Sequence, residues 1–323
     1  MSSKEIYISV IIPVYNRPKE IEELLASLSK QTLQDFEVVI VEDGSGIKCE
    51  SIVNSYKSRM DLKYFYQENS GPGPSRNYGY EKAKGNYCIF LDSDCILPSN
   101  YFEVVRNVLI NNPVDAFGGP DRAHEGFTKF QKAINYSMTS FFTTGGIRGG
   151  SEKLGKFYPR SFNMGYSRDV YDATKGFSDM RFGEDIDMSI RILKCGFKIR
   201  LIKQAFVYHK RRTNLKQFYK QVFNSGIARI NLYERHPESL KLVYFTPALF
   251  VIGAIFLLFT SFIYTPFFLL PFVFYILLLF CDSTIKNKSF SIGLLSVLTS
   301  LIQLSGYGFG FASALWERII LKR

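Results

Sequence analysis

The stretch Tyr87-Cys88-Ile89-Phe90-Leu91-Asp92-Ser93-Asp94 decides the fold. Its first five residues form a short apolar run of the kind buried on both faces of a parallel sheet. The run stops at two carboxylates one residue apart. That places paired oxygen ligands at the carboxyl edge of a sheet, where open α/β sheets bind their ligands. Hard cations such as Mg²⁺ or Mn²⁺ are commonly held by one or two carboxylates together with substrate phosphates, so the first expectation is a metal-dependent nucleotide site. The same residues also suit a plain turn, because Asp-Ser-Asp ahead of Pro98 can form Asx turns and cap a helix near Tyr101 to Ile110.

Working outward, Ile6 to Val14 is a nearly continuous apolar run that ends at Asn16-Arg17-Pro18. Lys19 to Lys30 then carries Ile21, Leu24, Leu25 and Leu28 at helical spacing, and Phe36 to Val41 is a second buried-type strand ending at Glu42-Asp43-Gly44-Ser45. Strand, helix and strand in this order make a βαβ unit with parallel pairing. Asn69-Ser70-Gly71-Pro72-Gly73-Pro74 marks a loop and Ser75 to Lys84 a helix, so the alternation predicts a doubly wound α/β sheet. The following region is rich in Gly, Ser and aromatic residues. Gly118-Gly119-Pro120, Gly145-Gly146 and Gly149-Gly150 break it, and no regular element can be assigned there. Gly183-Glu184-Asp185-Ile186-Asp187 opens a helix to about Cys195, with Ile186, Ile190 and Leu193 on one face and Gly196 as its stop.

The chain of 323 residues has room for one large α/β domain and an appendage. Its formal charge of +11 is unevenly placed. Residues 1–190 carry 22 basic and 25 acidic side chains, residues 191–241 carry 13 and 2, and residues 242–323 carry 5 and 2. A basic segment just before apolar spans is what an anionic membrane surface attracts, at about 1 kcal/mol per Lys or Arg. Nucleic acid is the rival partner for such a run, ranked lower because no nucleic-acid-binding motif accompanies it. Cys49, Cys88, Cys95, Cys195 and Cys281 form no C-x-x-C pair, which argues against a disulfide framework or a zinc site and for a reducing compartment. Met1 to Glu5 lead straight into a strand-like run, so no signal peptide is expected there.

Leu215, Phe218, Tyr219, Val222, Phe223, Gly226, Ile230 and Tyr233 keep helical spacing, with Lys216, Lys220 and Arg229 off the stripe. Such a helix either lies in a membrane interface or covers the core of the preceding domain. Leu242 to Tyr264 is long enough to cross a bilayer, Pro266 to Cys281 is short and contains Pro271, and Ser289 to Trp316 is long, with Gln303 and the series Gly306, Gly308, Gly310. Three spans are the simplest count. Arg318, Lys322 and Arg323 would then face outward, against the positive-inside tendency, whereas a re-entrant or broken segment between Tyr264 and Phe280 restores agreement. The expected division is residues 1–213 catalytic, 214–241 an amphipathic basic linker, and 242–323 spans with a short basic tail.

In order along the chain, VIIPVYN (10–16), VVIVEDGS (38–45), GPGPSRNYG (71–79), FLDSD (90–94), GGP (118–120), NMGYSRDVY (163–171) and GEDIDMSIRILKCGF (183–197) resemble the inverting family 2 nucleotide-sugar glycosyltransferases. The resemblance covers about residues 6–235 and implies the GT-A fold, a Rossmann-like mixed sheet. It implies that Pro13, Tyr15, Asn16 and Asp43 floor a uridine pocket, although Asp-Gly-Ser is also a good turn by itself. Arg76 and Asn77 are implied to meet the donor diphosphate. Asp92 resembles the nucleotide-ribose contact and, with Ser93, belongs to the donor site. Asp94 resembles the direct ligand of Mn²⁺ or Mg²⁺, with Asp92 beside it and His209 completing the shell in some relatives.

By the same resemblance Asp185 is the base that takes the acceptor's proton, and Glu184 orients the acceptor or the base. Acidic residues are also favoured in the first turn of any helix, and Asp187 fits that simpler role, four residues ahead of Arg191. Gly119, Arg211 and Arg212 are assigned to the phosphate or acceptor side, the two arginines serving equally well as membrane-surface charges. Gln221 falls where processive relatives carry Gln-x-x-Arg-Trp. Asn224-Ser225 stand in place of Arg-Trp, which speaks against polymer synthesis. The resemblance thus implies an integral membrane enzyme with a cytoplasmic catalytic domain, moving one sugar from a UDP-sugar to a lipid-linked or membrane-associated acceptor. The alternatives are transfer directly to polyprenyl phosphate and a non-catalytic sugar-nucleotide-binding scaffold.

Overall fold

The computed structural model describes residues 6–124, 126–145 and 157–321. Met1 to Glu5, Gly146, Gly149-Gly150, Lys322 and Arg323 lie outside the described residues. In chain order the elements begin β1 (Ile8–Val14), α1 (Pro18–Leu28), β2 (Phe36–Asp43), α2 (Glu50–Tyr56), β3 (Asp61–Gln67), α3 (Pro72–Lys82), β4 (Tyr87–Leu91), β5 (Cys95–Ile96) and α4 (Tyr101–Asn111). They continue β6 (Ala116–Gly118), β7 (Asp121–Arg122), α5 (Lys129–Thr139), α6 (Phe141–Thr144), β8 (Asn163–Ser167), α7 (Arg168–Thr174), α8 (Glu184–Lys194), β9 (Ile199–Leu201) and β10 (Val207–His209). Four long helices close the chain, α9 (Leu215–Arg235), α10 (Thr246–Ile263), α11 (Leu270–Asn287) and α12 (Phe290–Ala314).

The chain forms two compact units, residues 1–124 with 155–209, and residues 125–154 with 210–323. The segment 1–213, expected to be one continuous domain, is therefore interrupted: its described residues 126–145 pack with the C-terminal helices. The physical reason is apolar. Ile134 and Met138 of α5 are buried against Phe218 and Val222 of α9.

The first unit is built on a seven-stranded sheet in the order β3-β2-β1-β4-β8-β6-β9. β1 pairs in parallel with both β2 and β4, while β8 runs antiparallel to β4 and β6. The strand order therefore reverses between β1 and β4, creating the crevice in which α/β sheets bind ligands. Alternation fills both faces: Val10, Ile12, Val38, Ile40, Ile89 and Leu91 meet the buried side of α1 and α4, and Ile11, Val39, Cys88 and Phe90 meet α3 and α8. α3 begins at Pro72 rather than Ser75, because prolines in a first turn lack only N–H groups that have no partner there anyway. A small second sheet, β5-β10-β7, pairs His209 with Cys95.

The second unit contains three segments long and apolar enough to cross a membrane, Leu242–Ile263, Pro266–Asn287 and Phe290–Ile319. The middle one is neither short nor broken. Pro271 sits in the first turn of α11, where it is tolerated, and the helix continues to Asn287. α9 lies along α12. A Cβ on Gly310 would stand 2.0 Å from the Phe223 carbonyl oxygen, and one on Gly226 2.3 Å from that of Tyr307. The glycine series of α12 is thus a close helix–helix seam of the small-residue kind.

Candidate active site

The crevice is lined first by the end of β1. Asn16 has φ +53°, and its side-chain oxygen accepts from the backbone N–H groups of Gly46 (2.9 Å) and Ile47 (3.1 Å), tying β1 to the loop after β2. Pro13 is half-buried, and Tyr15, 53% exposed, stands open beside it. Asp43 is turned to its own neighbourhood. Its carboxylate accepts from Ser70 N–H (2.8 Å), Gly71 N–H (3.0 Å) and Gln67 Nε2 (2.9 Å), so it builds the 69–71 loop that leads into α3. The turn-forming role holds for Asp43 here, and its lone pairs are already occupied.

Arg76 is buried and central. Its Nη2 donates to Asp92 Oδ1 at 2.7 Å and its Nη1 to Glu184 Oε1, 108 residues further along the chain, at 3.0 Å, so that α3 links the end of β4 to the start of α8. Asn77 does not share this site: its amide clamps the backbone of Phe177 from both sides, at 2.7 and 2.8 Å. Asp92 is therefore directed at a guanidinium rather than at the group of ligand atoms described next. Ser93 lies buried between the two aspartates.

Asp94 Oδ1 lies 3.0 Å from His209 Nε2, and its other oxygen is paired with Arg17. The His209 ring stacks on Phe162 with centroids 4.8 Å apart, and its buried Nδ1 has no hydrogen-bond partner among the described residues. One ligand atom each from Asp94, Cys95 and His209 falls within 4.8 Å of the others. Burial raises the Cys95 thiol's pKa well above the usual thiol value, and for a hard cation such as Mg²⁺ or Mn²⁺ the Asp94 oxygen and the His209 nitrogen are better donors than soft sulfur. A separation of 3.0 Å is what two neighbouring ligands about 2.1 Å from one octahedral ion would show. The residues present therefore fit a divalent cation, in competition with Arg17.

At the other side of the crevice Gly183, with φ +92°, turns the chain into α8 and brings Glu184 and Asp185 inward, both buried. Burial, reinforced by the Asp185 charge, raises the Glu184 carboxyl to about 7 against the pull of Arg76. Burial pushes Asp185 the same way, but Arg160, with Nε 2.6 Å from Oδ2, outweighs it and holds the carboxyl below the usual range. Oδ1 of Asp185 also accepts from Ile186 N–H at 2.8 Å. One environment thus yields a firmly ionised carboxylate next to one poised near neutrality. Asp187 pairs with Arg191 at 2.8 Å, as its spacing implies.

A Cβ at Gly119 would lie 1.8 Å from the Ala205 carbonyl oxygen, so the close approach of the segment between β9 and β10 already requires glycine there. Arg211 belongs to the second unit, where it donates to Asn135 Oδ1 at 2.9 Å, and half-buried Arg212 follows it. Sequence reasoning missed Arg17, Arg160 and Cys95. Arg17 directly follows Asn16 at a strand end and Cys95 directly follows Asp94, both readable signals, whereas Arg160 lies in an aperiodic stretch that gives none.

A mixed α/β sheet with carboxylates at its switch point and an acidic helix start opposite them defines a GT-A-type transferase. Residues 9–174 match the profile of Glycosyl transferase family 2, and the chain belongs to that family. It is similar to the uncharacterized glycosyltransferase EpsJ of Bacillus subtilis (strain 168), 25% identical over 233 residues, covering 69% of this chain and 67% of EpsJ. It is also similar to the poly(ribitol-phosphate) beta-N-acetylglucosaminyltransferase TarS of Staphylococcus aureus (strain Mu50), 43% identical over 90 residues, covering 27% of this chain and 16% of TarS. An uncharacterized glycosyltransferase of Rickettsia bellii is 37% identical over 105 residues, 32% of this chain and 15% of that protein. The matched stretch is thus a small part of several relatives. In fold the chain resembles the mannosyltransferase PcManGT from Pyrobaculum calidifontis, solved with GDP-Man and Mn²⁺, at a TM-score of 0.61 and 15% identity, covering 96% and 87% of the two chains.

Proposed function

We propose that the protein is a metal-dependent inverting glycosyltransferase that moves a single sugar from a UDP-sugar to a membrane-associated, lipid-linked acceptor at the cytoplasmic face. The observation that carries this is Arg76, whose one guanidinium reaches both Asp92 at the nucleotide end and Glu184 at the acceptor end. A planar five-donor cation suits the diphosphate of a nucleotide sugar. Asp94 and His209 would hold Mn²⁺ or Mg²⁺, whose charge stabilises the departing nucleotide.

Asp185, kept ionised by Arg160, accepts the proton of the acceptor hydroxyl while that oxygen attacks the anomeric carbon from the face opposite the nucleotide. The bond from carbon to diphosphate oxygen breaks, its electrons leave with the nucleotide, and configuration inverts. Glu184, poised near neutrality, orients the acceptor hydroxyl. Three apolar segments and the basic run 191–241 in the same chain support an acceptor and a partner surface in the membrane. Replacement of Arg-Trp by Asn224-Ser225 favours one transfer per acceptor. The test is nucleotide release by the full chain in detergent with Mn²⁺ and lipid extract, across UDP-, GDP- and dTDP-sugars. Release from a UDP-sugar that stops with Asp185→Asn while nucleotide binding persists supports the reading; undiminished release by that variant removes Asp185 as the base.

A further inference from the structure

The stretch Ala133 to Ile147 contains no charged residue, yet it sits in the middle of the sequence, between Lys132 and Arg148, more than ninety residues ahead of the apolar tail. Its described part, α5 and α6, belongs to the helical unit. Thr299 of α12 donates to the Ala133 carbonyl at 3.0 Å, Tyr136 donates to Asp282 near the end of α11 at 2.7 Å, and the Phe142 carbonyl accepts from Tyr275 at 2.9 Å. These three bonds fix the depth of the segment. Tyr275 lies nine residues into the 22-residue apolar segment Pro266–Asn287, about 13 Å along its axis, and Asp282 about 10 Å further on. From Tyr136 to Phe142 the chain therefore descends along α11 from the end of that segment to its middle.

At the bottom of the descent the backbone is satisfied within the protein. Ser140 Oγ accepts from Phe142 N–H, and the Gly145 N–H reaches the Phe141 carbonyl, closing the single turn of α6. Non-helical backbone is tolerated at membrane depth only where it is buried in protein in this way. The side chains face outward instead: Phe141 is 69% exposed and Phe142 38% exposed.

We propose that α5 and α6 form a re-entrant element that carries Phe141 and Phe142 into the hydrocarbon of the bilayer, a fourth membrane contact contributed from within the catalytic sequence. The occupant is lipid acyl chain, because the element is continuous with the apolar faces of α11 and α12. The inference rests on the reading of α10 to α12 as membrane-embedded.

The chain has one tryptophan, Trp316, so Trp316→Phe provides a silent background. In nanodiscs, Phe141→Trp and, separately, Phe142→Trp on that background are read by quenching with lipids brominated along the acyl chains and with aqueous iodide. Leu258→Trp in α10, an exposed position of the first apolar segment, is the membrane control. Quenching of either Phe-site tryptophan by brominated lipid to at least half the extent of the Leu258 control, with little iodide quenching, supports the proposal. Iodide quenching at both Phe sites with lipid quenching at Leu258 overturns it while the membrane reading stands. Loss of lipid quenching at Leu258 as well overturns both.

Discussion

Replacing Arg160 by Gln tests the assignment of the base directly. Asp185 is buried, which by itself lifts a carboxyl, and it is held below the ordinary range chiefly by Arg160, 2.6 Å away, with Arg76 and the Ile186 N–H acting in the same direction. A carboxylate used as a base works ionised, so activity is lost as pH falls through its folded pKa. With Arg160 in place the loss due to Asp185 lies below the usual carboxylate range, apart from whatever change the Glu184 carboxyl makes near pH 7. An opposite charge at this distance shifts a carboxyl by about 1–3 units. The Arg160 side chain is 37% exposed and water screens part of its field, so the lower part of that range, about 1–2 units, is the appropriate expectation. Arg160→Gln should therefore move the acidic limb of the kcat profile upward by that amount, lowering turnover about tenfold or more one unit below the new limb and little at pH 8. Arg160→Lys, which keeps the charge and loses the planar fork, should fall between the two. The assay is nucleotide release from saturating donor and acceptor between pH 4 and 9. An acidic limb that coincides in the wild type and Arg160→Gln, with donor binding intact in both, would refute the reasoning.

Three further outcomes follow from the same geometry. Glu184, raised from 4.5 to about 7, contributes stability that is full below 4.5 and is lost as pH rises through 7, so the melting temperature of Glu184→Gln relative to the wild type should climb across that window; a constant difference removes the raised carboxyl. Arg17→Gln frees one oxygen of Asp94 from a charged hydrogen bond, a type worth about 1.5–3 kcal/mol, and should tighten Mn²⁺ binding in the absence of nucleotide about tenfold by calorimetry; weaker binding would mean that Arg17 assists the site. Gly310→Ala drives a methyl against the Phe223 carbonyl and should cost about 1–3 kcal/mol, a fall of about 3–10 °C in melting temperature, whereas Gly253→Ala, with nothing within 4 Å, should match or slightly exceed the wild type; equal behaviour of the two would show that the α9–α12 seam adds nothing.

The central strands were legible because burial on both faces writes an unbroken apolar run: Tyr87–Leu91 is observed at the bounds its letters imply, and Phe36–Val41 extends only to Asp43. β3 was not, because an edge strand half open to water mixes Asp61, Lys63 and Tyr64 in one short stretch and leaves no clean period. Asp92, Asp94, Glu184 and Asp185 stood out as acidic residues at element ends. Their partners did not, since the pairing of Arg160 with Asp185 or of Arg17 with Asp94 depends on a fold that joins residues 25 and 77 positions apart. Gly119 shows a related limit: close approach to Ala205 and close approach to a phosphate both require glycine, and sequence alone does not name the neighbour. α5 was hidden because its eleven residues lie in a Gly-, Ser- and aromatic-rich region, and buried Ala133, Ile134 and Met138 do not name the surface they cover.

That interruption of the sheet-bearing unit has a consequence for how the protein is made. α5 leaves the ribosome long before its cover: Thr139 precedes Phe290 by about 150 residues, which at about 5–20 residues per second is about 10–30 s of synthesis. Until α9 is complete, 96 residues after Thr139, Ile134 and Met138 have neither α9 nor α12 against them, and the nascent chain carries a sticky helix in its midst. The same exposure becomes permanent in any truncation that stops at residue 213 to obtain a soluble enzyme. Such a fragment keeps the whole sheet and the acidic pair yet loses the partners of α5, so a soluble version of this enzyme has to be redesigned on α5 itself, with polar residues in place of Ile134 and Met138, before its C-terminus is cut.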